Sequence, residues 1–280
     1  QPNAMGGREV GGLANMLAAH LDIDNPTHQQ LVQEFWQSPH IAQKVGLKAV
    51  DMFEAVEAGK IKAIWIMATN PVVSLPNADQ VKRALEKCEF VVVSDICLDT
   101  DTTQYADVLL PALGWGEKDG TVTNSERRIS RQRAFLDIPE QAQADWWSVS
   151  QVAKKLGFQG FDFESSHDIF KEHAQLSAYQ NAEIDLRSST ETFRYFNLAG
   201  LTNLSLDDYQ ELEPTQWPVL VPLKNGQTKP NTFAQLFKDG QFSHPDGKAK
   251  FIATTAVGAV NPISSEYPLV LNTGRIRDHW

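Results

Sequence analysis

The sequence has 280 residues and a formal net charge of −10 at pH 7, with a pI near 5.2. That balance excludes general nucleic-acid binding, which needs a broad basic footprint, while leaving room for a local anion site. No apolar run approaches the roughly 20 residues that cross a bilayer, and no signal peptide is visible. At 42% hydrophobic and 21% charged, the chain can bury one large core or two smaller ones. Cys88 and Cys97 are too few and too badly spaced for a disulfide framework or a zinc site, so reduced thiols in a cytoplasmic protein are the simplest reading. The chain starts Gln-Pro-Asn and stops at His279-Trp280 just after a strand-like run, which reads as a piece of a longer protein.

Residues 1–12 (QPNAMGGREVGG) read as a flexible glycine-rich loop whose spacing fits neither GxxxxGK[ST] nor GxGxxG. Leu31, Val32, Phe35 and Trp36 fall at helical spacing. A second helix is expected over about 47–58, with Val50, Phe53 and Val56 on one side and Gly59 as its stop. Residues 61–67 form a near-continuous apolar run of strand length, as expected where both sheet faces are covered. Asn77 can cap the next helix with Gln80 as its reciprocal partner, and Val81, Ala84, Leu85 and Cys88 make one apolar face. Residues 90–93 follow at once as a strand, so strand, helix and strand make a right-handed βαβ unit.

After the apolar run at 107–110 the pattern changes. Lys118-Asp119-Gly120 signals a hairpin and 121–135 reads as extended. Arg127, Ile129, Arg131 and Arg133 share one parity, so a strand puts three arginines on one face, either as a solvated edge or as an anion funnel. Asp145 reads as the cap of a helix through Leu156, with Trp146, Val149, Val152, Ala153 and Leu156 as its buried side. Ser165 with Asp168, and Ser205 with Asp208, mark two more helix starts. His167 and His173, six apart, read as surface or packing residues. Residues 247–253 and 269–272 look like strands, with a boundary near 264–268.

No GxSxG, HExxH, Walker or CxxC pattern is present. Acid pairs such as Asp99/Asp101 and Glu117/Asp119 sit in turn-like stretches, where carboxylates are usually solvated. What remains is a row of polar residues at strand ends: Asn70 and Ser74 after one strand, Ser94 and Asp95 after the next, and Asp107 at the start of a third. Open parallel sheets bind ligands outside the carboxyl ends of their strands. A carboxylate accepts two parallel N–H donors, which guanine offers and adenine does not. The residues by themselves therefore point to a nucleotide-like ligand at the switch point of the sheet.

Four ordered stretches carry a more specific likeness: TNPVVSLP (69–76), VSD (93–95), YADVLLP (105–111) and WGEKDGTVTNSERR (115–128). Together they resemble the molybdopterin-guanine-dinucleotide oxidoreductases, and QPNAMGGREVGG and NTGR…HW at the two ends are similar to further motifs of that family. Within it the wording is most like that of the assimilatory nitrate reductase catalytic subunits. The resemblance implies reduction of nitrate to nitrite at a molybdenum held by a bis-molybdopterin guanine dinucleotide cofactor, fed by an electron donor protein or reductase subunit. The family's 4Fe-4S cysteines and its molybdenum ligand would lie upstream of residue 1. It further implies guanosine contacts from Asn70, Ser74, Ser94 and Asp95, with Asp95 or Asp107 reading the base. Lys118 would face phosphate or pterin, and Asp145 is either a cofactor contact or a helix cap. Gln1, Thr273, Gly274, Arg275 and His279 would approach the pterins. A formate dehydrogenase of the same family and a cofactor-free structural electron-transfer subunit are the alternatives. The expected fold class is α/β: a doubly wound, mostly parallel sheet with flanking helices over 1–115, a mixed α+β region over 116–264, and the first strand of a truncated β-barrel domain over 265–280.

Overall fold

The structure is a computed structural model and describes residues 3–181, 194–220, 236–238, 240, 242, 244, 246–259 and 261–271. The chain divides into two units. The larger carries the described residues 3–181 and 194–220, and the smaller carries those from 236 to 271.

In the larger unit the glycine-rich start is a short helix, α1 (Ala4–Glu9), not the expected loop. Its glycines serve close packing rather than loop freedom. A Cβ on buried Gly6 would lie 2.3 Å from the Asn3 side chain, and one on Gly11 (φ +74°) would lie 2.5 Å from the Ala18 amide. Helix α2 (Pro26–Trp36) follows, started by Asn25, whose Oδ1 accepts from the amides of Thr27 (2.9 Å) and His28 (3.3 Å), with Pro26 in the first turn.

The next stretch is α3 (Ala49–Glu57), β1 (Ala63–Met67), α4 (Pro71–Ser74), α5 (Ala78–Lys87), β2 (Phe90–Asp95) and β3 (Val108–Pro111). The three strands form a parallel sheet in sequence order, β1-β2-β3, with Ala63 opposite Phe90 and Val92 opposite Val108. Alternate residues on one face, Ile64, Ile66, Val91 and Val93, pack against Phe53 and Val56 of α3 and Val81, Ala84 and Leu85 of α5. Asn77 caps α5 as expected, its Oδ1 accepting from the Gln80 amide at 3.2 Å. The opposite sheet face carries Trp65, Met67 and Val92, all only half-buried, so the apolar run at 61–67 does not mark a strand enclosed on both sides.

A second sheet is antiparallel, ordered β4 (Gly120–Thr123), β5 (Arg128–Gln132), β6 (Thr215–Gln216). The hairpin exists, but its turn is at 124–127. Asn124 Oδ1 accepts from the amides of Glu126 and Arg128, both at 3.0 Å, and Arg127 takes φ +66°. Gly120 instead opens β4. Helices α6 (Asp145–Lys155), α7 (Ser166–Ala178) and α8 (Leu206–Gln210) complete the unit. Ser165 and Ser205 cap the last two as the sequence indicates. In α6 the buried residues are Ser150 and Ala153, whereas Val149, Val152 and Leu156 are exposed. Ser150 tolerates burial because its hydroxyl donates to the Trp146 carbonyl at 2.8 Å.

The fold class therefore differs from the expectation. It is a mixed α/β fold with one parallel and one antiparallel sheet flanked by helices. Each parallel strand adds on the same side of its predecessor, so the strand order never reverses and the described sheet has no switch point of the doubly wound kind. No barrel or strongly curled sheet occurs among the described residues. Leu269, Val270 and Leu271 are exposed and pair with no described strand, and 247–253 is likewise no strand, with Phe251 and Ile252 exposed. Without a ladder partner an apolar run has nothing to hold it as a strand.

Candidate functional site: the carboxyl rim of the parallel sheet

Residues that follow parallel strands collect at one edge, and the register shows which of the expected residues do so. Ala68, just past β1, has a left-handed backbone (φ +54°) and donates its amide to the Ser94 carbonyl at 3.1 Å. For a residue with a Cβ this conformation costs about 1 kcal/mol, and such outliers gather at functional sites. The turn presents Asn70, at the start of α4, beside the end of β2. Asn70 Oδ1 accepts from Thr102 Oγ1 at 2.6 Å, and that fully buried threonine also accepts from the Val72 amide at 3.3 Å. Ser74, exposed at the end of α4, is tied back by its amide to the Asn70 carbonyl at 2.9 Å.

Buried Ser94 accepts from Trp65 Nε1 at 2.9 Å. Asp95 is half-buried; its Oδ1 accepts from the Cys97 amide at 3.0 Å, and among the described residues no donor reaches Oδ2. Asp95 pairs with Pro111 at the end of β3, and its carbonyl accepts from the Ala112 amide at 3.0 Å. The Gln143 amide in turn donates to the Pro111 carbonyl at 3.0 Å. Just beyond that link, Asp145 Oδ2 accepts from Lys118 Nζ at 2.9 Å. Asn70, Ser74, Ser94 and Asp95 thus follow the carboxyl ends of β1 and β2, and the Lys118–Asp145 pair lies close in sequence to the Pro111–Gln143 bond at the end of β3.

Asp145 is not the helix cap. Ala144 holds that position, and Asp145 is the first helical residue. Its Oδ1 is buried with no hydrogen-bond partner, an orphan acceptor that only a bound N–H or O–H donor would satisfy. Asp107 is a second correction. It lies at the opposite, amino edge of the sheet, where its Oδ2 accepts from the Val91 amide at 2.7 Å. Val91 precedes Asp95 by four strand residues, about 13 Å along the strand. Asp107 secures a strand start and does not join the rim. Gln1, Thr273, Gly274, Arg275 and His279 lie outside the described residues.

The arginine face belongs to the central strand of its sheet and is split, with Arg131 buried, Arg127 half-buried and Arg133 exposed. Arg131 is buried, stacked over Tyr209 and paired with Asp119 at 2.7 Å; Arg127 Nε donates to the Trp217 carbonyl, and Arg133 to the Gln210 carbonyl. All three are spent on α8 and the chain after it.

Sequence reasoning missed a buried polar cluster beneath α1. Glu9, 3% exposed, accepts from Thr123 Oγ1 at 2.8 Å and from Trp217 Nε1 at 2.7 Å. Burial pushes its carboxyl up to about 7, and the two hydrogen bonds only partly offset this. Asn3 Oδ1 adds a bond from the Thr123 amide at 2.9 Å. Next to it, His20 packs against Phe196 and Trp217, and His173 packs against Phe196. Burial lowers both imidazoles, His173 to about 4. His173 is thus a packing residue, as is His167, which bonds the Leu204 carbonyl and lies against Tyr209. Nothing local signals the cluster, because Glu9 meets its partners 114 and 208 positions away.

Among the described residues no group of three or more His, Cys, Asp or Glu is placed to hold a metal ion, and no helix is long and apolar enough to cross a membrane.

Residues 3–155 match the family model described as molybdopterin oxidoreductase. The chain is 51% identical over 280 residues to a nitrate reductase of Shewanella frigidimarina, matching all of this chain and 29% of that protein. It is 32% identical over 288 residues to the assimilatory nitrate reductase catalytic subunit of Bacillus subtilis, matching all of this chain and 36% of that protein. It is 31% identical over 282 residues to the alpha subunit of an F420-dependent formate dehydrogenase 2 of Methanococcus maripaludis, covering 37% of it. The chain spans about a third of the length of these relatives. With the matched region containing the whole parallel sheet and its rim, the chain belongs to the molybdopterin oxidoreductase family.

Proposed function

We propose that this chain supplies the guanosine and phosphate rim for the pterin-guanine dinucleotide of a molybdenum-dependent nitrate reductase. The observation that carries the reading is the placing of Asn70, Ser94 and Asp95 at the carboxyl ends of neighbouring strands, with the Lys118–Asp145 pair close in sequence to the end of the third and a buried oxygen of Asp145 unpartnered. These residues suit the group. Asp95 Oδ2 is open to an N–H donor of guanine, Asn70 and Ser94 close the ends of the neighbouring strands and shape the turn beside it, and the Lys118 ammonium offers a point charge to phosphate. When bound, the cofactor supplies the molybdenum that accepts an oxygen atom from nitrate. This chain's own part is to hold and orient the nucleotide end. Nitrate is favoured over formate as substrate by the 51% identity to a nitrate reductase against 31% to a formate dehydrogenase. The reading includes an electron donor protein, and two free thiols suit a reducing, cytoplasmic setting.

The test is calorimetric titration of the chain with guanosine diphosphate and adenosine diphosphate. Guanosine diphosphate should bind at least about tenfold more tightly, and Asp95→Asn should erase that preference, since each charge-assisted pair is worth about 1.5–3 kcal/mol. Equal binding of the two nucleotides, or an unchanged preference in Asp95→Asn, refutes it.

A further inference from the structure

Lys118 has one neighbour whose arrangement its ion pair with Asp145 does not explain. Asp119, the next residue, is a second carboxylate near Lys118, whose Nζ is already paired with Asp145. Both of its oxygens are engaged. Oδ1 accepts from Arg131 Nη2 at 2.7 Å, and Oδ2 accepts from Ser166 Oγ. The Arg131 side chain is wholly inaccessible to solvent and is held through its two terminal nitrogens, while its Nε has no hydrogen-bond partner among the described residues. Its Nη2 also donates to Gln210 Oε1 at 3.1 Å, its Nη1 donates to the Gly120 carbonyl, and its Cζ lies 3.9 Å from the Tyr209 ring centre. The Tyr209 hydroxyl closes the circuit by donating to Ser166 Oγ at 3.4 Å. The two residues after Lys118 are therefore gripped from β5, α7 and α8 together.

We propose that Arg131 is a positioning residue for Lys118, acting through Asp119: it neutralises the adjacent carboxylate and fixes the backbone from which Lys118 reaches the rim. The inference rests on the reading of Lys118 as a phosphate contact. The pair joins a buried guanidinium to an exposed carboxylate, so it adds little to stability, and its use here is to fix where the two side chains lie. Only arginine meets this site, since it must grip a carboxylate and a carbonyl while stacking flat on a ring, which a lysine ammonium does not do. The segment around α7 and α8, the part of the chain with the fewest motifs, thereby becomes the scaffold of the anion contact.

The experiment measures guanosine diphosphate and guanosine binding by the full 280-residue chain and by Lys118→Ala, Arg131→Lys, Ser166→Ala and the Lys118→Ala/Arg131→Lys double variant. Arg131→Lys should weaken guanosine diphosphate about tenfold and leave guanosine unchanged, with no further loss when Lys118 is already alanine. Ser166→Ala, a change on a half-exposed residue, should weaken guanosine diphosphate about threefold with guanosine again unchanged. Equal weakening of guanosine in both variants, or no weakening of either ligand, overturns the positioning role. If Lys118→Ala binds guanosine diphosphate as well as the unmodified chain, or that chain does not bind it, the reading of Lys118 fails and takes this inference with it.

Discussion

Glu9→Gln should make the chain more stable, by a margin that grows as pH rises from 4.5 to about 7 and is level above. In the unfolded chain the Glu9 carboxyl titrates near 4.5, and in the folded chain burial raises it to about 7. Between those values the folded state holds a proton that the unfolded state has released. Stability therefore falls as pH rises through this window and is level above it. At about 1.4 kcal/mol per pH unit, the difference amounts to about 3 kcal/mol by pH 8. Glutamine keeps the shape and never ionises. Its Oε1 can accept from Trp217 Nε1 and its Nε2 can donate to Thr123 Oγ1, so both bonds of the native carboxyl have replacements. The variant should match the native chain at pH 4.5 and exceed it by up to about 3 kcal/mol at pH 8, roughly 6–12 °C in Tm. Thermal melts at pH 4.5, 6 and 8 read this directly. A stability difference that is the same at all three pH values, or a variant less stable at pH 8, refutes the assignment of a buried, proton-holding carboxyl.

His173 should impose the opposite slope: its folded value near 4 lies below the ordinary 6.5, so stability is intact above pH 6.5 and declines by up to about 3 kcal/mol as pH falls to 4. His173→Gln should flatten that limb of a stability–pH curve. Thr102→Val should cost about 2 kcal/mol in urea unfolding, because the Val72 amide and Asn70 Oδ1 both lose a buried partner. Ser94→Ala should cost about 1 kcal/mol by the same measurement, since Trp65 Nε1 is left without its acceptor.

The βαβ layer was legible because its signals are local. Asn77 lies three residues before the amide it caps, the Val81–Ala84–Leu85 face repeats within one helix, and β1 and β2 are short apolar runs of strand length. The antiparallel region was legible only in part. Parity correctly placed Arg131 on the face of Ile129, yet said nothing about what that face meets, because Tyr209 and Gln210 lie some eighty positions later. The same distance hides the Glu9 cluster. In α6, helical spacing identified an apolar stripe, but burial of a stripe requires a partner surface, and Val152 and Leu156 stay exposed.

Asp107 is the instructive case, since its position followed from the topology already inferred. Parallel strands run the same way, so every strand start lies at one edge and every strand end at the other. A residue that opens a strand cannot stand beside residues that close its neighbours. Asp107 therefore had to fall with Phe90 and Val91, and Asp95 with Pro111, whatever their side chains suggested. The same geometry bears on Lys118 and Asp145, which lie outside the strands. Each follows a connection that leaves the sheet at the carboxyl end of β3, through Ala112 for the one and through the Pro111–Gln143 hydrogen bond for the other. Chain direction, more than residue type, decides which polar side chains in such a sheet can act on one ligand.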